Sequence, residues 1–509
     1  MTENYFLVID AGTGGGRALI FDDIGALHAI SYEEWTYFTP PDGPELALEF
    51  NPDDFWNIIC KITKQAMKLA KIQPNQIKGL SASSFREGSV WIDEKGKELY
   101  AGPANDIRAI EQGMNMKASH GKKIYELTGH NPPFMFASAR LQWFKEKKPE
   151  IYDKIYRIMM MNEWILFKFS GEVYSEPSNV CETELFDIHK KEWSKEIVQM
   201  LDLKDDIFPE VVNAGTRIGG VSNKAATETS LIEGTPVVMG GADSQCALLG
   251  MGFTEEAQLG VIGGTTTPLQ MITSHPIIDE QQMRTWTNNY LLPESWVLES
   301  NAGESGKIFR WMRDNLADLE RETASQQGKD AFQLMEELAA DVPPGAEGVY
   351  AILGPWVMNM DAISPLGLGG FLFELPVYMG NYGKKQFIRA FLESMAYAIK
   401  ANWDQIEEIS NMKVKEAGMC GGLSKSKTFV QIVADTLRFP IKLYQTIEAT
   451  GLGAAICAAV GAGIHSSFPE AIKAMVHLKE VVEPGPQQKK LRKFYKKWWK
   501  IQKKISKIL

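Results

Sequence analysis

The hydrophobic pattern of the chain contains two similar motifs. Each consists of two apolar segments joined by a glycine-rich loop. The arms of the first pair are Tyr5–Ile9 and Ala18–Asp22, and those of the second are Leu259–Ile262 and Pro268–Ile272. Short apolar runs that flank a glycine loop predict β-hairpins. The pattern therefore predicts two related halves, each with a loop of glycine and threonine, and only the first loop carries an acid, Asp10.

Helical periodicity alternates with further strands along the rest of the chain. Apolar residues recur at helical spacing in five segments, which are Asp53–Ala70, Ile308–Leu319, Lys385–Ile409, Ser426–Leu437 and Ile472–Leu478. Ile77–Ser84 and Pro236–Met239 are typical of strands. Strands that alternate with helices indicate the α/β fold class. The longest apolar run, Leu452–Ile464, contains glycines and is shorter than the ~20 residues of a bilayer span, so it predicts a buried helix.

Length and composition narrow the class of protein. The chain has 509 residues, which favours two or more domains, and we place the boundary near Gly252, between domains 1–251 and 252–509. Its five cysteines are scattered, which predicts neither a disulfide framework nor a zinc site and favours a cytoplasmic location. The net charge of −10 argues against a nucleic-acid-binding protein.

The charge is unevenly distributed along the chain. Residues 489–509 contain ten of the 54 Lys and Arg residues and no acid, so the other 44 bases face all 64 acids, for a net charge of −20. The same segment has apolar residues at helical spacing, which are Leu491, Phe494, Tyr495, Trp498, Ile501, Ile505 and Ile508. We therefore predict a basic amphipathic helix over 489–509 whose apolar stripe packs on a domain. The alternative is contact with an anionic membrane or a partner.

The loop at residues 10–17 has the composition of a phosphate-binding loop. Gly12 and Gly14 would let backbone N–H groups approach phosphate oxygens closely, and Thr13 adds a hydroxyl. Asp10 could hold Mg²⁺, directly or through water, because hard cations prefer oxygen ligands. The alternative is a plain glycine-rich hairpin turn.

Asp243 ends another glycine-containing strand. The strand passes through Gly240 and Gly241, and Gln245 follows shortly after Asp243. An acid at the lip of a sheet lies where α/β folds bind ligands, and it could accept a proton from a substrate hydroxyl. The alternative is an aspartate that caps a helix over Ser244–Leu249.

Two charged segments could bind a polyol. Arg86 and Glu87 follow the strand at Ile77–Ser84, and Asp106 and Arg108 form a similar pair. Opposite charges at a strand end can share hydrogen bonds with several hydroxyls. The alternative is a surface ion pair, which contributes little.

A third glycine turn, at residues 416–426, leads from a predicted strand into a helix. Such a turn lets part of a nucleotide approach a helix N-terminus. A later segment of small residues, 448–455, is better explained by close helix packing.

Taken in order, these segments resemble those of the FGGY family of carbohydrate kinases. The matching segments are residues 10–13 with Arg17, 240–243, 263–265, 389–394, 421–426 and 448–455. Each motif is weak by itself, but six in the same order are specific, and the match extends from Phe6 to Pro469.

The resemblance implies two actin-like (RNase H-like) α/β domains that flank a catalytic cleft, and transfer of the ATP γ-phosphate to a hydroxyl of a small sugar, polyol or ketose. Asp243 would be the catalytic base, and Asp10 and Asp243 would hold Mg²⁺. The substrate-binding residues would be Arg86, Glu87, Asp106, Asp243 and Gln245. The ATP-binding residues would be Gly12, Thr13, Gly14, Arg17, Gly264, Thr265, Thr266, Gly421, Gly422, Ser424 and Lys425.

Within the family, several stretches resemble the autoinducer-2 kinases, so the favoured acceptor is open-chain dihydroxypentanedione. Glycerol and xylulose-type pentuloses are the alternatives, and the resemblance leaves a homodimer open. The chain departs from the family pattern at Gly15, where Ser is usual, and at Glu163 and Glu176, where Asp is common. The alternative of another class is an actin- or chaperone-like ATPase. A dinucleotide-binding enzyme is excluded because the first glycine loop joins two strands.

Overall fold

The computed structural model describes residues 4–362, 367–373, 380 and 382–505. Its strands are β1 (Tyr5–Gly12), β2 (Gly15–Asp22), β3 (Leu27–Glu34), β4 (Ile77–Ser84), β5 (Ser89–Ile92), β6 (Glu98–Gly102), β7 (Arg157–Met160), β8 (Phe186–Asp187), β9 (Glu192–Trp193), β10 (Arg217–Gly220), β11 (Pro236–Ala242), β12 (Gln258–Ile262), β13 (Pro268–Thr273), β14 (Trp286–Asn289), β15 (Trp296–Asn301), β16 (Tyr350–Ile352), β17 (Gly370–Leu372), β18 (Glu416–Cys420), β19 (Ile441–Tyr444) and β20 (Leu478–Val482).

The α-helices are α1 (Pro52–Ala70), α2 (Ile110–Thr128), α3 (Ala137–Lys147), α4 (Pro149–Tyr152), α5 (Met161–Ser170), α6 (Pro177–Val180), α7 (Lys195–Met200), α8 (Asn223–Thr229), α9 (Asp243–Gly250), α10 (Ser305–Leu316), α11 (Asp318–Gln327), α12 (Ala331–Ala340), α13 (Lys384–Ser410), α14 (Lys427–Leu437), α15 (Ala449–Gly461), α16 (Phe468–Met475) and α17 (Gln488–Ile505). Short 3₁₀ turns occur at Pro74–Gln76, Pro133–Met135, Cys181–Thr183, Ala346–Gly348 and Gly422–Lys425.

The chain divides into two compact units, each made of more than one segment. The first unit comprises Met1–Glu256, Ile272–Leu298 and Glu448–His477, and the second comprises Ala257–Met271, Glu299–Ile447 and Leu478–Leu509. The boundary near Gly252, with sugar binding in 1–251 and ATP binding in 252–509, stays a prediction.

The first unit is built on a six-stranded sheet in the order β10-β11-β4-β1-β2-β3. β1 pairs antiparallel with β2 and parallel with β4, and β4 pairs in parallel with β11. Seven of the eight residues of β1 are buried, and α15 and α5 pack against the central strands. Because parallel strands end at the same edge of a sheet, β1, β4 and β11 bring Asp10, Ser84 and Asp243 to one edge.

The first predicted hairpin is confirmed, and its turn is tighter than predicted. β1 and β2 stay paired through Asp10, which lies directly opposite Arg17. The turn itself consists of Thr13 and Gly14. The predicted loop at residues 10–17 is therefore mostly strand, because β2 is also paired with β3 and remains extended from Gly15 onward.

The second hairpin is confirmed as well. β12 and β13 pair antiparallel around the loop at residues 263–267, β12 pairs in parallel with β18, and β18 pairs in parallel with β19. These strands belong to a seven-stranded sheet in the order β14-β15-β13-β12-β18-β19-β20. In each sheet, a hairpin is followed by a strand parallel to its first arm and then by a second parallel strand. These strands are β1, β2, β4 and β11 in the first sheet and β12, β13, β18 and β19 in the second. The prediction of two related halves is therefore confirmed.

Most predicted helices are present, and two have different ends. The helix predicted over Ile308–Leu319 is broken at Ala317, whose backbone leaves the helical region and separates α10 from α11. The helix predicted over Ile472–Leu478 stops at Met475, because Val476 is extended and Leu478 already begins β20. The start of α1 is capped, since the Asn51 side chain accepts hydrogen bonds from the first turn of the helix.

The basic C-terminal segment forms α17, which packs on the second unit through its apolar stripe. Leu491 and Trp498 are fully buried. The Trp498 indole N–H lies 3.0 Å from the carbonyl oxygen of Ala351 and 3.1 Å from the hydroxyl of Ser394. The predicted packing of the helix on a domain is therefore confirmed, and residues 506–509 lie outside the described residues. Within the described ranges, every helix is too short or too polar to cross a membrane.

Candidate active site

Asp10 is buried at the edge of the first sheet, where two side chains hold its carboxylate. Arg17, its partner across the hairpin, places Nη2 2.5 Å from Asp10 Oδ2. The hydroxyl of Ser83, at the end of the neighbouring β4, donates to Asp10 Oδ1 at 2.9 Å. Since both oxygens are engaged and the residue is 2% exposed, the carboxylate has a fixed position.

Arg17 lies among three carboxylates. Besides Asp10, its guanidinium contacts Glu448 Oε2 at 2.7 Å, where α15 begins. The Asp10 carboxylate raises the pKa of Arg17 most; burial opposes the rise, and Glu448 and Asp243 add to it. The β1–β2 hairpin, the start of α15 and the segment that carries Asp243 therefore form one electrostatic cluster within the first unit.

Asp10 and Asp243 are the two carboxylates of this cluster that the sequence predicts as Mg²⁺ ligands. Within the described ranges, no group of three or more His, Cys, Asp or Glu side chains could hold a metal ion. Mg²⁺ is commonly bound by one or two carboxylates together with substrate phosphates and water. Asp10 and Asp243 meet that requirement, with Arg17 as a competing cation at Asp10, and their role as metal ligands stays a prediction.

The turn of the first hairpin has the exposure that a phosphate loop requires. Thr13 and Gly14 are exposed, and the Thr13 carbonyl accepts a hydrogen bond from the Tyr37 hydroxyl at 2.6 Å. Gly15 follows, where Ser is usual in the family that the sequence resembles. A Cβ at Gly15 would lie 2.5 Å from the carbonyl oxygen of Glu33. Packing of β2 against β3 therefore excludes a side chain at this position.

Asp243 is the first residue of α9 and follows directly on β11. It is half-buried, and its Oδ1 accepts a hydrogen bond from the backbone of Ser244 at 2.6 Å. The residue in the N-cap position is Ala242, so Asp243 is not the cap. Gln245 is fully buried in the same turn; its Oε1 accepts from the Ser244 hydroxyl at 2.9 Å, and its amide nitrogen has no partner among the described residues.

Two buried glutamates support the segment that leads to Asp243. The Glu176 carboxylate accepts hydrogen bonds from the backbone N–H and the hydroxyl of Ser178, and that hydroxyl lies 3.0 Å from the backbone nitrogen of Ala242. Glu163 in turn accepts from the backbone of Glu176 at 2.9 Å. Burial raises the pKa of Glu163 to about 8 and that of Glu176 to about 7. These two departures from the family pattern therefore position backbone next to Asp243.

Arg86 is held by a buried cluster that sequence reasoning missed. Its Nη1 lies 2.9 Å from Glu182 Oε1, and its guanidinium lies 5.6 Å from the centre of the Trp286 ring. The other oxygen of Glu182 lies 3.3 Å from His130 Nε2, and His130 Nε2 is also 2.8 Å from Asn288 Oδ1. Burial acts to raise the pKa of Glu182, but Arg86 and His130 outweigh it and the pKa is lowered. Glu182 is therefore a buried carboxylate held between two bases.

Glu87 occupies a strained backbone position beside Arg86. Its φ is 63°, and the backbone N–H of Gly88 donates to the carbonyl of Arg86 across it at 2.8 Å. The fully buried Arg140 donates to the Glu87 carbonyl and, at 3.2 Å, to the carbonyl of Pro103. Strained backbone of this kind persists where surrounding contacts hold it and is concentrated at functional sites.

Asp106 is fully buried and its carboxylate is occupied by protein groups. The Tyr100 hydroxyl donates to Oδ2 at 2.6 Å, and Arg108 Nε lies 2.8 Å from the same oxygen. Oδ1 accepts from the backbone of Leu48 at 3.1 Å. The structure thus places Asp106 in a structural network, and its predicted contact with substrate rests on the resemblance alone.

In the second unit, the two glycine loops lie against each other. The backbone N–H of Gly263 donates to the Cys420 carbonyl at 2.9 Å, and that of Leu423 donates to the Gly263 carbonyl at 3.2 Å. Gly421 has φ 79° and ψ −178°, and a Cβ on it would lie 2.6 Å from the Gly263 carbonyl oxygen. The loops can therefore approach this closely only because both carry glycine.

The predicted nucleotide-binding residues of these loops are accessible. Gly264, Thr265 and Thr266 are exposed at the tip of the β12–β13 hairpin, and the Thr265 carbonyl accepts a hydrogen bond from the start of α10. The other four predicted residues, of which Gly422 and Lys425 are exposed, lie at the turn before α14 and are Gly421, Gly422, Ser424 and Lys425. The Ser424 hydroxyl donates to the Gly421 carbonyl at 2.7 Å.

Both halves of the chain are matched by known proteins. Residues 5–250 match the N-terminal domain of the FGGY family of carbohydrate kinases, and residues 259–462 match its C-terminal domain. The chain belongs to this family. As an FGGY kinase it is a phosphotransferase with an alcohol group as acceptor and ATP as donor, and the family membership decides against the actin- or chaperone-like ATPase.

Similar curated proteins carry a more specific name. The chain is 33% identical over 500 residues to an autoinducer-2 kinase of Yersinia pseudotuberculosis and to one of Yersinia pestis, covering 97% of this chain and 93% of each relative. Among solved structures, it is similar to a xylulose kinase from Lactobacillus acidophilus, with a TM-score of 0.83, 18% identity and 99% of each chain covered.

A glycerol kinase from Plasmodium falciparum with ADP is similar too, with a TM-score of 0.82, 19% identity, and 99% of this chain and 98% of that chain covered. At these identities the structural likeness shows the fold alone. The predicted α/β fold of two actin-like domains is confirmed.

The site residues that the sequence did not reveal share one property. Each comes from a part of the FGGY kinase chain distant from the residue it contacts, and they are Ser83, His130, Glu182, Trp286 and Glu448. All of them except His130 contact a predicted residue directly, and His130 contacts Glu182. Only Glu448 stood in a recognised segment, where it was explained by helix packing. A signal for Ser83 existed, because a strand parallel to β1 must place its own end beside Asp10.

Proposed function

We propose that this kinase phosphorylates the open-chain form of autoinducer-2, dihydroxypentanedione. The observation that carries the proposal is the 33% identity to autoinducer-2 kinases over 97% of the chain. It is supported by the polar cluster around Arg86, which includes Glu182 and His130 and is rich in donors and acceptors for a short molecule with hydroxyl and carbonyl groups.

In this proposal the first unit binds the acceptor. The acceptor's oxygens receive hydrogen bonds from Arg86 and from the amide nitrogen of Gln245. Its hydroxyl groups donate to the Glu87 carboxylate. The Asp243 carboxylate takes the proton of the primary hydroxyl while that oxygen bonds to the γ-phosphorus. The bond between the γ-phosphorus and its bridging oxygen breaks, and ADP leaves.

The second unit binds ATP in the same proposal. The loop at residues 263–267 and the turn at 421–425 offer the exposed residues Thr265, Thr266, Gly422 and Lys425, whose hydroxyls, backbone and ammonium suit phosphates and ribose. Mg²⁺ would neutralise phosphate charge, with Asp10 and Asp243 as its protein ligands. The homodimer, the absence of nucleic acid as a partner and the cytoplasmic location stay predictions.

A panel of acceptors tests the substrate. We expect kcat/KM for dihydroxypentanedione to exceed that for glycerol, xylulose, ribulose and gluconate by about 100-fold, because a site built around polar contacts discriminates against compounds that leave those groups unpaired. ADP release would be followed with and without each acceptor. A faster reaction with glycerol or xylulose would contradict the proposed substrate but would leave the assignment as a carbohydrate kinase intact. ADP formation that needs no acceptor would contradict the kinase activity itself.

Glu182 tests the acceptor site. We expect Glu182→Gln to raise the KM for the acceptor about 10-fold and to leave the KM for ATP unchanged, because Arg86 loses the negative charge of its ion-pair partner and a neutral amide fixes the guanidinium less firmly. The measurement is steady-state kinetics with each substrate varied in turn.

Glu184→Gln is the matched control for that experiment. Glu184 is also fully buried, burial raises its pKa, and it accepts from the Ser138 hydroxyl at 3.0 Å. The amide therefore resembles the protonated acid that the site favours, and we expect a small effect. Equal effects of the two variants on the acceptor KM would show that Glu182 acts through folding rather than through Arg86.

A further inference from the structure

The outward face of α17 is a continuous basic surface. Nine Lys and Arg side chains of this helix are exposed, and they are Lys489, Lys490, Arg492, Lys493, Lys496, Lys497, Lys500, Lys503 and Lys504. We call this set the basic face. No acidic residue occurs between Lys489 and the end of the chain, so no neighbour within the helix neutralises the charge.

Helix geometry places all nine side chains on one side. At about 100° of rotation per residue, they fall within an arc of about 160°, and every residue of α17 in that arc is basic. The fully buried Leu491 and Trp498 lie opposite the centre of the arc. Packing of the helix on the second unit therefore fixes the basic face toward solvent.

We propose that the basic face docks the protein on an anionic lipid surface. Clusters of basic side chains on an amphipathic helix bind anionic lipids, and each base near such a surface raises the affinity about fivefold. The rest of the chain carries a net charge of −20 and is repelled by the same surface. This opposition of charge orients the protein so that α17 faces the lipid.

The composition of the basic face favours lipid over a protein or nucleic-acid partner. Eight of its nine residues are lysine, a flexible point charge that is depleted from protein–protein interfaces. The arc holds no neutral polar side chain that could read a base or complement a folded surface. Trp499 lies at the edge of the arc, half-buried, with the Lys503 ammonium 4.6 Å from its ring centre, and amphipathic aromatic side chains of this kind are typical of lipid–water interfaces.

The apolar face of the helix defines the mode of binding. Because Leu491 and Trp498 are already buried against the protein, the helix cannot insert its apolar stripe without leaving the second unit. Binding is therefore electrostatic and reversible, and we expect it to weaken steeply with ionic strength.

Co-sedimentation of the full chain with vesicles tests the proposal. We expect binding to vesicles of phosphatidylcholine with phosphatidylglycerol at low salt, loss of binding at about 0.5 M salt, and no binding to phosphatidylcholine alone. The triple variant Lys493→Glu, Lys496→Glu and Lys500→Glu should bind more than 100-fold more weakly, because the loss of three of the nine bases alone accounts for about 100-fold and the new acids add repulsion.

A control with the same change of net charge is available at the C-terminal end of α1. Lys64 and Lys68 on the helix and Lys71 just after it are exposed on the first unit, and their replacement by Glu should leave vesicle binding within about twofold of wild type. Kinase activity and melting temperature report folding of both variants. Failure of the wild-type protein to bind the anionic vesicles, equal losses in the two triple variants, or tighter binding to duplex DNA than to vesicles at equal phosphate concentration would each overturn the proposal.

Discussion

Replacement of Asp243 by Asn is expected to lower kcat by about 10²–10⁴-fold while ATP still binds. The amide keeps the shape of the side chain and its contact with the Ser244 backbone, but it cannot accept the proton of the acceptor hydroxyl. Loss of one negative charge removes repulsion toward the phosphates, but it also weakens a proposed Mg²⁺ ligand, for which the amide oxygen is a neutral substitute. The affinity for ATP with Mg²⁺ should therefore change much less than kcat.

Steady-state kinetics and calorimetric titration with ATP separate these two effects. Asp205→Asn, a change at an exposed aspartate of the same unit, is the control and should have wild-type kinetics. A near wild-type turnover number for Asp243→Asn would remove the assignment of Asp243 as the base. Loss of ATP binding together with loss of turnover would show that Asp243 acts mainly through Mg²⁺ or the nucleotide rather than as the base.

The parts of the site that sequence predicts well are those formed by neighbouring segments of the chain. Asp10 and Arg17 stand on opposite arms of one hairpin, and the pattern of apolar residues and glycines is sufficient to place them together. The end of β11 likewise identifies the position of Asp243, because a glycine-containing strand followed by an acid is a local signal. Both features depend on short-range geometry that the sequence encodes directly.

The environment of Arg86 could not be predicted in the same way. Its partner Glu182 lies 96 positions along the chain, and Trp286 comes from yet another segment. Burial of a carboxylate between two bases depends on how several elements pack, and no local pattern distinguishes Glu182 from the neighbouring Glu184. The sequence leaves open a surface ion pair between Arg86 and Glu87. In the structure, Arg86 forms a buried ion pair with Glu182.

Asp106 shows how much of a side chain's environment local reasoning leaves open. Its predicted contact with substrate stays a prediction, and in the structure Tyr100, Arg108 and the Leu48 backbone contact its two carboxylate oxygens. A resemblance transfers residue types between proteins, whereas the hydrogen-bond partners depend on the packing of each chain. The presence of an acid in a family motif therefore does not by itself imply that the acid faces the ligand.

Replacement of Gly421 by Val is expected to produce the largest selective loss of ATP affinity. Gly421 has a combination of φ and ψ that is essentially restricted to glycine and that costs about 1–3 kcal/mol for other residues. A Cβ there would also lie 2.6 Å from the carbonyl oxygen of Gly263, which is backbone and cannot rotate away. The side chain must therefore push the two glycine loops of the second unit apart.

Because both loops are predicted to bind ATP, we expect the KM for ATP to rise by about 100-fold, which corresponds to nearly 3 kcal/mol and matches the strain at Gly421. The KM for the acceptor should change little, since Arg86 and Gln245 belong to the first unit. Separate titrations of the two substrates measure this difference.

Substitutions at two other glycines serve as controls, because they distinguish backbone strain from an effect on nucleotide binding. Gly328 also has a positive φ, 63°, but a Cβ there meets no atom within 4 Å, so Gly328→Ala adds strain at the end of α11 without touching either loop. Its KM for ATP should equal that of the wild type. Gly422→Ala places a methyl group in open space beside Gly421 and should leave the melting temperature unchanged. A Gly421→Val protein that folds and keeps the wild-type KM for ATP would exclude this turn from the nucleotide site, because the displaced loops would then bear no phosphate or ribose contact.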